Sequence, residues 1–253
     1  MISRTTMMYA VCILGNDDAM TTMISVQALN QFYGQSHTLW DIDLDIPKNS
    51  CTCVLGRNGV GKTTLMQSLM GLAPDVRGQI WFEGHDIARV PAEQRAPMGI
   101  AYIPQGRQIF AQLTVEENIR TGFFASRSRY DKVPDFIYEL FPVLLEMRSR
   151  RGGDLSGGQQ QQLAIARALV LDPVVLIMDE PTEGIQPTIV QEIGDVIKTL
   201  SQEHGMTVVL VEQKLPFARR VADHYVILDR GRLMVQGAMN ELDDDLIKKY
   251  LTV

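Results

Sequence analysis

The sequence predicts an α/β fold with an antiparallel β opening and a helical subdomain inserted into the core, and three observations carry that reading. Short, mostly apolar runs of strand length, Cys51 to Leu55, Val174 to Met178 and Thr207 to Val211, alternate with segments of helical spacing, as in a sheet buried on both faces. Ahead of them, Trp40, Ile42, Leu44 and Ile46 alternate with Asp41, Asp43 and Asp45 at the period of a half-buried strand. Between Gln105 and Leu155 the strand patterns stop and helical ones take over.

In chain order, regular patterning begins at Met23, so residues 1–22 read as a disordered extension or a start codon called too early, and 23–253 as one domain. Ile24 to Leu29 is expected as a strand beside the alternating segment. Cys51 to Leu55, a glycine-rich turn and the helical spacing of Lys62 to Leu72 make a βα unit. Val115 to Phe123 and Phe136 to Met147 read as helices of the inserted subdomain, placed at about 106–165. Ile189 to Leu200 is an amphipathic helix, and Tyr225 to Leu228 with Leu233 to Val235 form a hairpin across Arg230 and Gly231.

Composition narrows the function classes. At 253 residues and 45% hydrophobic the chain can bury a substantial core. A formal charge of −6 argues against a nucleic-acid partner, because phosphate-backbone affinity needs clustered Lys and Arg. Cys12, Cys51 and Cys53 are odd in number, and the last two share one face of a strand, so a disulfide framework is not expected. The histidines His37, His85, His204 and His224 are scattered, which disfavours zinc, and a reducing cytosol fits best. The apolar run Met7 to Leu14 is far shorter than the roughly 20 residues that span a bilayer.

Three motifs carry chemistry. Gly56-Arg57-Asn58-Gly59-Val60-Gly61-Lys62-Thr63, followed by Thr64, matches the phosphate-binding loop between a strand and a helix, so that the expected core resembles that of the P-loop NTPases. Glycines allow successive N–H groups to turn inward around phosphate oxygens, and the helix N-terminus adds its field. Lys62 is expected on the β and γ phosphates and Thr63 on Mg²⁺. The run Val174 to Met178 ends in Asp179 and Glu180, so a buried strand delivers two carboxylates to the sheet edge where nucleotides bind. Asp179 is expected to hold Mg²⁺ and Glu180 to activate water, the alternative being a solvated strand end. Leu155-Ser156-Gly157-Gly158-Gln159 opens a second helix whose serine and glycine amides can meet a γ phosphate, or simply cap the helix.

With LSGGQ in place, the chain from Met23 onward resembles the ABC ATPase family. The resemblance implies bound ATP and Mg²⁺, with Tyr33 stacking on adenine and Gln105 touching both Mg²⁺ and the attacking water. It also implies that the phosphate loop of one subunit faces the LSGGQ of another, so that a working site needs a dimer. Two positions depart from the family pattern. Gln186 stands where an aspartate is usual in the dimer-contact loop, and Gln213 replaces the usual switch histidine, which leaves it the role of sensing and orienting or of capping the strand end.

The strings GRNGVGKTT, YIPQGRQIF, LTVEEN, RRGGDLSGGQQQQLAIARAL and EPTEGIQP resemble the branched-chain amino acid importers, and most of all their urea and short-chain amide branch. That branch implies a second ABC ATPase subunit, two membrane permease subunits and an external solute-binding protein, with this chain peripheral on the cytoplasmic face of the inner membrane. Branched-chain amino acid import is the alternative substrate reading. A non-transport ABC ATPase is disfavoured by the single cassette, the lack of sustained heptads and the acidic balance. A scaffold without turnover is disfavoured by the intact Lys62, Asp179 and Glu180.

Overall fold

The computed structural model describes residues 22–251. The expected extension lies outside the described residues except for Thr22, as do Cys12 and the run Met7 to Leu14.

Two long strands, β1 (Thr22–Tyr33) and β2 (Ser36–Pro47), open the chain as an antiparallel pair, turning at Gly34, whose φ of 59° suits a residue without a Cβ. Their register shifts between the pairs Leu29↔Ile42 and Gln31↔Leu39, so that Trp40 and Asp41 oppose the single residue Asn30. This is a β-bulge, with Asp41 at φ 45° held by the Asn30 side chain, which donates to its Oδ1 at 2.9 Å. The bulge corrects one expectation. Leu39 takes the core position, and Trp40 turns outward, its ring 3.5 Å from that of His37.

β3 (Cys51–Leu55) leads through the glycine loop into α1 (Lys62–Met70). β4 (Val76–Phe82) and β5 (His85–Asp86) then complete the first sheet, whose order is β2-β1-β4-β5. α2 (Ala92–Met98) and β6 (Ile100–Ile103) follow. Next come three short helices, α3 (Val115–Arg120), α4 (Asp135–Leu140) and α5 (Pro142–Glu146). The single helix expected over Phe136 to Met147 is broken at Phe141, with φ −133° and ψ 73°, because Pro142 cannot donate a helical hydrogen bond and drives its predecessor out of the helical region.

The chain continues with α6 (Gly157–Leu169), β7 (Val175–Asp179), α7 (Pro187–Lys198), β8 (Thr207–Val211) and α8 (Leu215–Val221), and closes with β9 (His224–Asp229), β10 (Arg232–Ala238) and α9 (Asp244–Tyr250). The second sheet has the order β10-β9-β3-β8-β7-β6, parallel throughout except for the edge strand β10.

Pleating divides the second sheet between two cores. Cys51, Cys53 and Leu55 face a core shared with α3 to α8, whereas Val54 faces one shared with α1 and the first sheet. The two cysteines thus lie on one face, as the alternation requires, and both are free thiols whose burial pushes their pKa up. Because β3, β7 and β8 run parallel, they release their C-terminal ends at one rim, and the chemistry gathers there. Among the described residues no helix is long and apolar enough to cross a membrane.

Candidate active site

The glycine loop is fitted closely to its surroundings. A Cβ at Gly56, whose φ is 153°, would sit 2.5 Å from the Leu228 carbonyl oxygen, and one at Gly61, whose φ is 106°, would sit 2.7 Å from a Leu39 methyl. At Gly56 the obstacle is backbone, so a side chain would push the loop away from β9, whereas at Gly61 the Leu39 methyl could yield and the positive φ is what excludes a side chain. Lys62 at the start of α1 folds back and donates from Nζ to the carbonyls of Gly56 and Arg57, both at 2.8 Å. Burial lowers its pKa, while the acids Glu180, Asp179 and Glu212 favour its charged form. Glu180 Oε1 lies 4.0 Å from Nζ.

β7 and β8 supply the acids. Their ladder runs to Asp179↔Val211, and Glu180 N still donates to Val211 O at 3.0 Å before the chain turns away with Glu180 at φ 50°. A non-glycine residue held in the left-handed region costs of order 1–3 kcal/mol and recurs at functional sites. Asp179 is 1% exposed, and neither carboxylate oxygen has a hydrogen-bond partner. Burial lifts its pKa and Glu180 adds to the lift, whereas Lys62 and the Thr63 and Tyr102 hydroxyls, close by but outside bonding geometry, oppose it. Such a donor set suits a hard divalent cation that arrives with its other oxygen ligands, water and phosphate. It does not form a self-sufficient cage, since no group of three His, Cys, Asp or Glu side chains among the described residues could hold a metal alone.

Two amides grip Glu180. Gln213 Nε2 donates to its Oε1 at 2.5 Å, and Gln105 Nε2 donates to its Oε2 at 3.3 Å and to Glu183 Oε2 at 2.8 Å. Behind them Glu212 accepts from the Gln213 and Lys214 backbone N–H groups at 2.8 and 3.0 Å and from the Thr182 hydroxyl. The cavity formed here, about 510 Å³, is lined by Thr38, Asn58, Gly59, Gly61, Lys62, Thr63, Thr64, Gln105, Glu180, Thr182, Glu183, Glu212, Gln213 and Lys214. That volume lies within the range of small-ligand sites.

The structure therefore brings the phosphate loop, Gln105, Glu180 and Gln213 to one cavity, with Asp179 buried beside Lys62 and Thr63. Gly56, Arg57 and Val60 shape the loop without lining the cavity. Tyr33 also lies outside the lining, 43% exposed at the end of β1, with its hydroxyl donating to Gln67 Oε1 at 3.1 Å. The signature residues open α6 away from the cavity. Ser156 Oγ accepts from Gln159 N at 3.4 Å, and Gln159 Oε1 accepts from Ser156 N at 2.9 Å, a capping box that leaves Gly157 and Gly158 as the first turn. Gln186 is the exposed cap residue of α7. Sequence reasoning misses Thr38, Thr182, Glu183, Glu212 and Lys214. The one signal is for Glu212, an acid directly after an apolar strand, a pattern that does not distinguish a buried carboxylate from a solvated one.

Comparison with known proteins places this geometry among relatives. A family model described as "ABC transporter" matches residues 39–183. The high-affinity branched-chain amino acid transport ATP-binding protein BraG of Pseudomonas aeruginosa is 39% identical over 84% of this chain and 91% of its own length. The probable branched-chain amino acid transport ATP-binding protein LivF of Archaeoglobus fulgidus is 40% identical over 87% of this chain and 94% of its own. Among solved structures, an ATP-binding subunit of an ABC transporter superposes with a TM-score of 0.74 at 28% identity, covering 90% of this chain and 93% of the other.

Proposed function

The chain belongs to the ABC transporter family as an ATP-hydrolysing subunit, and from that premise we propose that it energises uptake of branched-chain amino acids through membrane permeases. The observation that carries the substrate is the pair of relatives near 40% identity, BraG and LivF, both described as branched-chain amino acid transport proteins. Urea or a short-chain amide is the second reading, favoured by the run Glu180 to Pro187 and by the glutamines Gln159 to Gln162. Substrate contact belongs to the permeases and an external solute-binding protein, so the motor's own site does not select between the two.

The chemistry follows from the cavity. ATP lies with its phosphates in the loop, and Lys62 exchanges its two carbonyl acceptors for β and γ oxygens. Thr63, Asp179 and Gln105 would hold Mg²⁺, which supplies charge neutralisation on the same oxygens. Glu180, steered by Gln105 and Gln213, accepts the proton of the water whose oxygen bonds to the γ phosphorus as the bond to the β-phosphate oxygen breaks. Tyr33 leaves Gln67 to stack on adenine. Ser156 to Gln159 serve the phosphate loop of a second ATPase subunit, and the segment 106–165 moves as a helical subdomain between core and permease. The assembly sits on the cytoplasmic face of the inner membrane.

Uptake of labelled leucine and labelled urea by cells lacking this chain tests the substrate. Loss of leucine uptake with urea uptake intact supports the first reading, and the reverse result replaces it with the second.

A further inference from the structure

Thr182 and Glu212 are 0% and 2% exposed, yet both belong to the wall of the cavity. A carboxylate so deep is tolerated only with partners, and this one has three. One oxygen accepts from the Thr182 hydroxyl, and the other accepts from the backbone N–H groups of Gln213 at 2.8 Å and Lys214 at 3.0 Å. Lys214 closes the ring by donating from Nζ to the Thr182 carbonyl at 2.9 Å. With both oxygens committed to protein donors, Glu212 is not placed to accept a proton from water.

The ring sits where the sheet stops holding the two loops together. Among the described residues, the last backbone hydrogen bond between the β7 and β8 ends is Glu180 N to Val211 O at 3.0 Å. Past it, Glu180 turns at φ 50°, so its direction depends on what fixes the residues after it. Thr182 is two residues on, and the residue whose N–H Glu212 binds, Gln213, is the one whose amide holds Glu180.

From this we propose that Glu212 is a positioning residue for hydrolysis. With Thr182 and Lys214 it forms a clamp that registers the loop bearing Glu180 against the loop bearing Gln213. The proposal rests on the reading of Glu180 as the water-activating group. It distinguishes two substitutions of one residue. In Glu212→Gln the amide oxygen still accepts from the two N–H groups and the amide nitrogen donates to the Thr182 hydroxyl, so the clamp survives without its charge. In Glu212→Ala it is gone.

Turnover of Mg²⁺-ATP by the full chain, at chain concentrations where the rate per chain no longer rises, provides the test, with melting temperature recorded alongside. Thr182→Val is expected to lower kcat about tenfold, the effect of losing one hydrogen bond to a charged group, with KM for ATP changed less than about twofold. Thr182→Ser should restore kcat. Glu212→Ala should lose about a hundredfold, the scale of a 1 Å misplacement, while Glu212→Gln keeps most of the activity. Glu180→Gln is the reference. If it turns over at the parent rate, the water-activating assignment fails and the clamp fails with it. If it is inactive while Thr182→Val keeps the parent kcat, the clamp alone is wrong. A Glu212→Gln protein as inactive as Glu180→Gln overturns positioning in favour of direct proton transfer. A Thr182→Val protein whose loss follows its melting temperature and is not restored by serine reduces the clamp to fold stability.

Discussion

Replacing Gln213 by alanine should slow hydrolysis without weakening nucleotide binding, because its amide is spent on Glu180. The substitution removes the 2.5 Å bond from Nε2 to Glu180 Oε1. What remains on the carboxylate is the longer Gln105 bond at 3.3 Å, on the other oxygen, and the Lys62 ammonium at 4.0 Å. A hydrogen bond to a charged group contributes about 1.5–3 kcal/mol, or roughly 10- to 100-fold in rate. The Glu180 side chain is 14% exposed, so water can replace part of the missing donor, which sets the expectation near the low end, about tenfold. Single-turnover hydrolysis on saturating Mg²⁺-ATP measures it, with the dissociation constant for ATP as the control. Gln213→His should retain turnover near pH 8 but lose it on the acid side of about pH 6.5, because a protonated imidazole makes Glu180 a weaker base. An alanine variant with the parent single-turnover rate would refute the argument and leave Gln213 as a strand-end residue only.

Two further substitutions, a pH dependence and a concentration dependence probe the same site. If Lys62 holds the β and γ phosphates as proposed, Lys62→Ala removes a charged contact to each, so ATP affinity should fall by about 10²–10⁴-fold, and an unchanged dissociation constant by equilibrium titration would count against the loop as the phosphate site. Asp179→Asn should abolish Mg²⁺-dependent turnover yet raise the melting temperature of the nucleotide-free chain by about 2–4 °C, the shift that 1 kcal/mol gives in a chain of this size, because it removes a charge whose burial outweighs the help of Lys62 and whose oxygens have no hydrogen-bond partner. The sign with pH is fixed by the raised Asp179 pKa: the folded state takes up the proton more readily than the unfolded one, so the parent's deficit against Asp179→Asn should shrink as pH falls through that value, and a deficit that widens on acidification would contradict it. Because Ser156 to Gln159 do not line this chain's own cavity, the rate per chain should rise with chain concentration, and a fast rate independent of concentration would rule out a shared site.

What the sequence reveals tracks how local the physics is. The loop from Gly56 to Thr63 is readable because its conformation depends on glycines at fixed offsets between an apolar strand and a helix, and the close approaches at Gly56 and Gly61 are the reason for those offsets. Asp179 and Glu180 are readable because an apolar run ends on them. Trp40 is misplaced by its pattern because a one-residue bulge puts Trp40 and the residues before it out of phase with Ile42, Leu44 and Ile46, and no periodicity shows where Asn30 will hold such a bulge. β4 escapes the pattern although Glu83-Gly84, both at positive φ, marks the hairpin after it, and β6 escapes it although Ile100 to Ile103 is a short strand-forming run. Pro142 signals the break after Phe141 in plain view. The hold of Glu212 on Thr182 joins residues 30 apart in sequence through a hydrogen bond that burial alone makes consequential, and nothing local encodes it.

The central claim is that Glu180 activates water at a site completed by a second subunit, and the direct measurement is ATP binding, hydrolysis and association state of Glu180→Gln, side by side with the parent chain. The amide keeps the size of the side chain and leaves the phosphate loop untouched, so ATP should bind with parent affinity, hydrolysis should fall to background, and the nucleotide-bound chains should remain associated. Hydrolysis at the parent rate, or loss of ATP binding together with activity, would contradict the account.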